Sequence, residues 1–116
     1  MSKNVVLFGW KRSVPGRESL SAVHFPEILE YLGGLQAQGT IDSFEPVFLA
    51  SHGGDLNGFI LVRGTREKLD NMVGSEQWIE HHTRADYHLE GFGAVRGVTG
   101  EGVMESMQVW QKVIGS

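Results

Sequence analysis

There is no cysteine in the 116 residues. That removes disulfide staples, thiolate zinc sites and cysteine nucleophiles together, so any metal would need His and carboxylate ligands. Long apolar runs are missing too. The longest, Asn4 to Trp10 and Phe59 to Val62, fall far short of the ~20 residues of a membrane-spanning helix. Met1 to Val5 opens no signal peptide of adequate length, so the chain reads as cytoplasmic, with no membrane partner. Basic stretches are equally scarce. Ten Lys and Arg against fourteen Asp and Glu leave a formal net charge of -4, without the run of cations that tracks a phosphate backbone, which argues against a nucleic-acid partner. No phosphate-cradling glycine loop, nucleophile elbow or EF-hand spacing is present. What remains is 41% hydrophobic and 21% charged residues, the balance of a soluble globular chain, and the length suits one domain over 1–116.

Val5 to Trp10 is apolar, rich in β-branched and aromatic types, and bounded by Asn4 and the Pro15-Gly16 turn, which predicts a first strand. Phe25, Ile28, Leu29, Leu32 and Leu35 recur at helical spacing, with Pro26 in the first turn and Gly39 past the last, which predicts a helix over 25–38. Gly33 and Gly34 weaken it by up to about 1 kcal/mol each, unless something approaches that turn closely. Phe44 to Ser51 reads as a strand, His52 to Gly58 as a hairpin turn and Phe59 to Arg63 as its antiparallel partner. Thr65 can cap a helix that Gly74 breaks and Ser75 restarts, with Trp78, Ile79, His82 and Ala85 on one stripe of the second piece. Leu89 to Val98 reads as the last strand, and Val103, Met107, Trp110 and Ile114 as one face of a C-terminal helix.

Strand, helix, strand, strand, helix, strand is the split βαβ order of α+β ferredoxin-like folds: a four-stranded antiparallel sheet with both long helices on one face. Val5 to Phe8 and Phe59 to Val62 are nevertheless apolar at every position, as strands covered on both faces are. Leaving four such side chains wet would forfeit roughly 6–12 kcal/mol. The C-terminal helix or a second copy must cover that face, and the short 97–102 connection favours sheet-to-sheet packing as a homodimer. The element order, the double-faced strands, the Gly39 to Phe48 lead-in and the Gly74 to Trp78 break together resemble the dimeric α+β barrel superfamily, including its YCII-like and antibiotic-biosynthesis-monooxygenase-like members. That resemblance implies a small-molecule pocket in a dimeric barrel. It also implies, as an alternative, cofactor-independent oxygenation or isomerisation of a small aromatic or polyketide-like molecule.

Candidate chemistry centres on histidines. His82, turned inward by its spacing from Trp78 with His81 about 100° away, is a candidate base; the alternative is a structural hydrogen bond beneath the sheet. In heme-degrading members of the superfamily an axial His follows a Ser by seven residues, the spacing of Ser75 and His82, although Arg63 stands where their Trp would be; otherwise no cofactor is implied. His52 and Asp55 fall within one turn, where they form either a catalytic pair or backbone hydrogen bonds. His88 and Glu90, read as two apart on the last strand, share a face and offer polar groups to a pocket or an ion pair at the rim. Trp10 and Tyr87 are candidate stacking walls, and Arg12, with Lys11 and Arg17, a candidate anion contact. Adjacent histidines on a helix diverge, so 81, 82 and 88 encode no convergent metal site.

Overall fold

A computed structural model describes residues 3–115; Met1, Ser2 and Ser116, which the single-domain and leader readings take in, lie outside the described residues. The chain runs β1 Asn4–Trp10, β2 Arg12–Ser13, α1 Glu18–Ala37, β3 Ser43–Phe48, β4 Gly58–Gly64, α2 Arg66–Val73, α3 Glu76–His88, β5 Leu89–Glu90, β6 Gly93–Val98 and α4 Glu101–Ile114. The main sheet is antiparallel with order β3-β4-β1-β6, the ferredoxin-like arrangement. Val6 and Phe8 on β1 stand beside Val62 and Ile60 on β4, and all four are buried beneath Ile28 and Leu32 of α1, Leu69 and Met72 of α2 and Trp78 of α3. Period-two burial on β4 and period-four burial on α1 thus meet in one core.

Thr65 and Ser75 cap α2 and α3, accepting from the backbone N–H groups of Lys68 and Trp78. The break between the two helices is therefore built by the residues that announce it. Three boundaries differ from expectation, the simplest being that the strand read over Phe44 to Ser51 runs Ser43–Phe48. The first long helix starts at Glu18, not residue 25, and carries Pro26 inside it. Its inward stripe begins with His24, a polar type that apolar periodicity discounts. The expected strand over Leu89 to Val98 is two strands. Gly91, at φ 67°, turns the chain between β5, which pairs with β2, and β6, which pairs with β1. His88 consequently ends α3 instead of sharing a strand face with Glu90. Nothing lies within 4 Å of a Cβ built on Gly33 or Gly34, so no neighbour within the described chain requires glycine there.

The opposite face of the sheet carries Leu7, Val47, Phe59 and Leu61, all half-buried, and Val95, which is 60% exposed. α4 does not fold back over them. Only Gly102 at its root is buried, against Val98, while Lys3 pairs with Glu105 at 2.8 Å. Beyond that root Met104, Met107, Val109, Trp110, Val113 and Ile114 are exposed. The Cα radius of gyration, 15.8 Å, exceeds the roughly 13 Å of a compact chain of this length, in keeping with a projecting helix. Among the described residues no helix is long and apolar enough to cross a membrane.

Candidate functional site

Between α1, the covered face of the sheet and the β2–β5 ribbon lies a cavity of about 350 Å³. Six aromatic rings stand in its wall: Phe8, Trp10, Phe25, Phe48, Trp78 and Phe92. Trp10 stands edge-on to Phe25 and to Phe48, at centroid distances of 6.0 and 6.2 Å. Phe48 is 71% exposed, so the cavity reaches the surface there. Gly58 opposite Trp10 on β4 leaves room for the indole; a Cβ at that position would stand 2.5 Å from Trp10 Cζ2. Besides the Trp10 indole, polar side chains come from Arg12 and Ser13 on β2, Ser21 on α1 and His88 at the end of α3, the last three joined by hydrogen bonds.

Those polar groups begin a continuous line of hydrogen bonds. Ser13 Oγ donates to Ser21 Oγ at 2.7 Å, Ser21 Oγ lies 2.7 Å from His88 Nδ1, His88 Nε2 lies 2.8 Å from His24 Nδ1, and His24 Nε2 lies 3.0 Å from His81 Nδ1. Helix geometry explains the line. Ser21 and His24 are one turn apart on α1, while His81 and His88 are two turns apart on α3, so the pairs face each other where the helices pack. His24 is 1% exposed, and burial, reinforced by the Arg84 cation, holds its pKa down to about 4. Burial first and Arg84 second also lower His81 and His88. All three rings are therefore neutral near pH 7, each with one N–H to give and one lone pair to receive. Because their nitrogens point at one another, the lone pairs do not converge on a shared point; among the described residues no group of three or more His, Asp or Glu is arranged to hold a metal ion.

Three of the five expected ligand contacts, Trp10, Arg12 and His88, line this cavity. Glu90 sits behind it, accepting from Arg12 Nε at 3.0 Å. Tyr87 points elsewhere: it is 58% exposed and stacks under the Arg17 guanidinium at 4.1 Å. Neither expected catalytic histidine lines the cavity. His52 is exposed in the β3–β4 loop, its Nδ1 2.9 Å from the Ala50 carbonyl, while Asp55 faces Lys11 at 3.6 Å. His82 lies edge-on to Phe92, 4.9 Å between centroids, with Nε2 3.5 Å from Asp86. Ser75, seven residues before His82, accepts from the Trp78 N–H as the cap of α3. The stripe facing α1 runs through Trp78, His81, Ala85 and His88, whereas Ile79, expected inside, is 52% exposed.

Sequence reasoning missed Ser13, Ser21 and His24. The available signal was the three-residue spacing of Ser21 and His24 set against the seven-residue spacing of His81 and His88.

No family model matches the chain, and neither does any curated protein. Among solved structures it is similar to a dimeric protein of unknown function with a ferredoxin-like fold from Bacteroides fragilis NCTC 9343, at a TM-score of 0.57 and 16% identity, over 84% of this chain and 94% of that one. At that identity the likeness speaks for the fold, and it agrees with the strand order: the chain is a ferredoxin-like α+β protein.

Proposed function

We propose that the chain acts as a homodimer in which each protomer holds one small, largely aromatic organic molecule in the cavity beside Trp10. The observation that carries the ligand reading is the lining: six aromatic rings around a space at the lower end of the roughly 300–1,000 Å³ of known ligand sites, with the bonded group Ser13, Ser21 and His88 to fix orientation. Arg12 and the Ser21 hydroxyl suit a ligand bearing a carboxylate, carbonyl or phenol. Calorimetric titration with 2-naphthoate should give one saturable site per chain, and Ala22→Trp, which fills the cavity from α1, should abolish it without altering the far-UV spectrum. Absence of saturable heat from both 2-naphthoate and 2-naphthol, or equal binding by the filled variant, overturns the reading.

Dimerisation rests on the bare sheet face, the apolar surface of α4, and the dimeric state of the structural neighbour. A second copy packed sheet against sheet, in the manner of an α+β barrel, would remove both from water, at about 1.5–3 kcal/mol for each large apolar side chain fully covered. Sedimentation at micromolar concentration should find twice the 12.8 kDa chain mass. Leu7→Lys combined with Trp110→Glu should return the single-chain mass; a wild-type protein that sediments only at 12.8 kDa refutes the dimer. Oxygenation or isomerisation of an aromatic substrate would draw on the same cavity. Since His52 and His82 stand outside its lining, such chemistry would use His88 and Ser21 as its proton-handling groups.

A further inference from the structure

We propose that Ser21 is a nucleophile, activated by His88 and positioned through His24 and His81, and that the cavity is an acyl-transfer site for small aromatic esters. The inference rests on the ligand reading of the cavity and goes beyond it by assigning a reactive atom.

A serine hydroxyl becomes nucleophilic when a base within hydrogen-bond reach takes its proton and a third group holds that base in the correct tautomer. Ser21 Oγ and His88 Nδ1 are 2.7 Å apart, and both residues line the cavity. Ser21 Oγ accepts from Ser13 and lies 2.7 Å from His88 Nδ1, and the inference assigns the tautomer in which Ser21 gives its own proton to that nitrogen and His88 Nδ1 carries the lone pair. His88 is left with its proton on Nε2, and it donates that proton to His24 Nδ1 at 2.8 Å. His24 in turn donates from Nε2 to His81. Each ring fixes the tautomer of the one before it, and the sequence ends with His88 Nδ1 free to act as a base. A buried Asp performs this orienting step in the familiar serine triad. Here a neutral imidazole does it, and the arrangement holds only while His24 stays uncharged. A protonated His24 would donate from Nδ1, reverse His88 and leave Nδ1–H against the serine.

Charged and titratable groups around the line come from both helices. Arg84 on α3 and Glu27 on α1 pair at 2.6 Å, with Glu80 on α3 acting on His81 and Tyr31 on α1 packing against it. Arg84 opposes protonation of all three histidines, and Glu27 favours it for His24 and His81.

The step balances without a cofactor. Ser21 Oγ bonds to the acyl carbon, the carbonyl π pair moves to oxygen, and the hydroxyl proton passes to His88 Nδ1. Collapse expels the alcohol, which takes the proton from His88. Water then repeats the sequence against the acyl-serine. Arg12, a cation on the same cavity wall, is the group available to the developing oxyanion.

Phenylmethylsulfonyl fluoride is a suitable probe, because its ring matches an aromatic cavity and its S–F bond breaks as Ser21 Oγ bonds to sulfur. Intact-mass analysis should find one sulfonyl group per chain at pH 8, and peptide mapping should place it on Ser21. Ser21→Ala, which removes only a hydroxyl, should abolish the adduct while leaving the far-UV spectrum unchanged. His88→Gln should slow labelling at least 100-fold. His24→Gln should slow it about 10-fold and shift the low-pH limb of the rate profile, which protonation of His88 itself sets, an effect a purely structural role would not produce. An adduct on Ser13 or elsewhere, or labelling of His88→Gln at the wild-type rate, overturns the inference. No adduct together with intact 2-naphthoate binding overturns it and leaves the binding site standing, whereas loss of both removes the two readings together.

Discussion

Between pH 7 and pH 4 the folded protein is expected to lose about 3 kcal/mol of stability through His24 alone. Unfolded, this imidazole takes up a proton at its ordinary pKa of 6.5; folded, burial and the Arg84 cation hold it down to about 4. Between those values the unfolded chain binds more protons than the native one, so stability rises with pH across the window and falls as acid is added. Below about 4 both states are protonated and the His24 contribution levels off. His81 and His88 are shifted in the same direction by the same two causes, and their contributions carry the same sign. Urea unfolding at pH 7, 5.5 and 4 measures the effect directly. His24→Gln keeps an amide able to give and receive hydrogen bonds but cannot titrate, so its stability should vary much less over this range. A wild-type unfolding midpoint that does not move with pH would contradict the burial of a neutral imidazole between α1 and α3.

Replacing Trp78 by Ala should cost about 3–5 kcal/mol, or about 10–20 °C in Tm. The indole is 2% exposed, lies 4.0 Å from Phe8 between centroids and stacks with Tyr31 at 6.5 Å. It joins three layers, since its ring touches the sheet through Phe8, α1 through Tyr31, and the cavity through its free edge. Truncation removes the transfer free energy of a large ring and leaves a hole that merges with the existing cavity, where little can collapse to refill it. Trp78→Phe should recover more than half of the loss. Thermal melts of the two variants at one protein concentration test this, and a loss below about 1 kcal/mol for Trp78→Ala would mean that the ring is not part of the core.

The element order and the helix break at Gly74 were legible because their causes are local. Thr65 and Ser75 cap whichever helix follows them, and the apolar runs at Val5 and Phe59 carry their strand preference wherever they pack. The β2–β5 ribbon was not legible, since two-residue strands have no periodicity, and only their juxtaposition lets Lys11 N–H bond the Glu90 carbonyl and Val14 N–H the His88 carbonyl. Trp10, Arg12 and His88 do line the cavity, but His88 does so from the end of α3 and not from the strand face on which the sequence reading put it. His24 was hidden for a physical reason. A buried imidazole is tolerable only when both nitrogens are satisfied, and its partners come from a helix 57 and 64 residues away in sequence. His82 misled because a one-residue rotation around α3 exchanges it with His81, and the apolar stripe alone does not choose between them.

Gly58 gives the cavity a control point outside its own lining. Since a methyl group there would collide with the indole ring of Trp10, any larger residue must swing that ring toward the bound molecule or out to solvent. The shape of the cavity is therefore set in part by a backbone position on the neighbouring strand that is not itself in the lining.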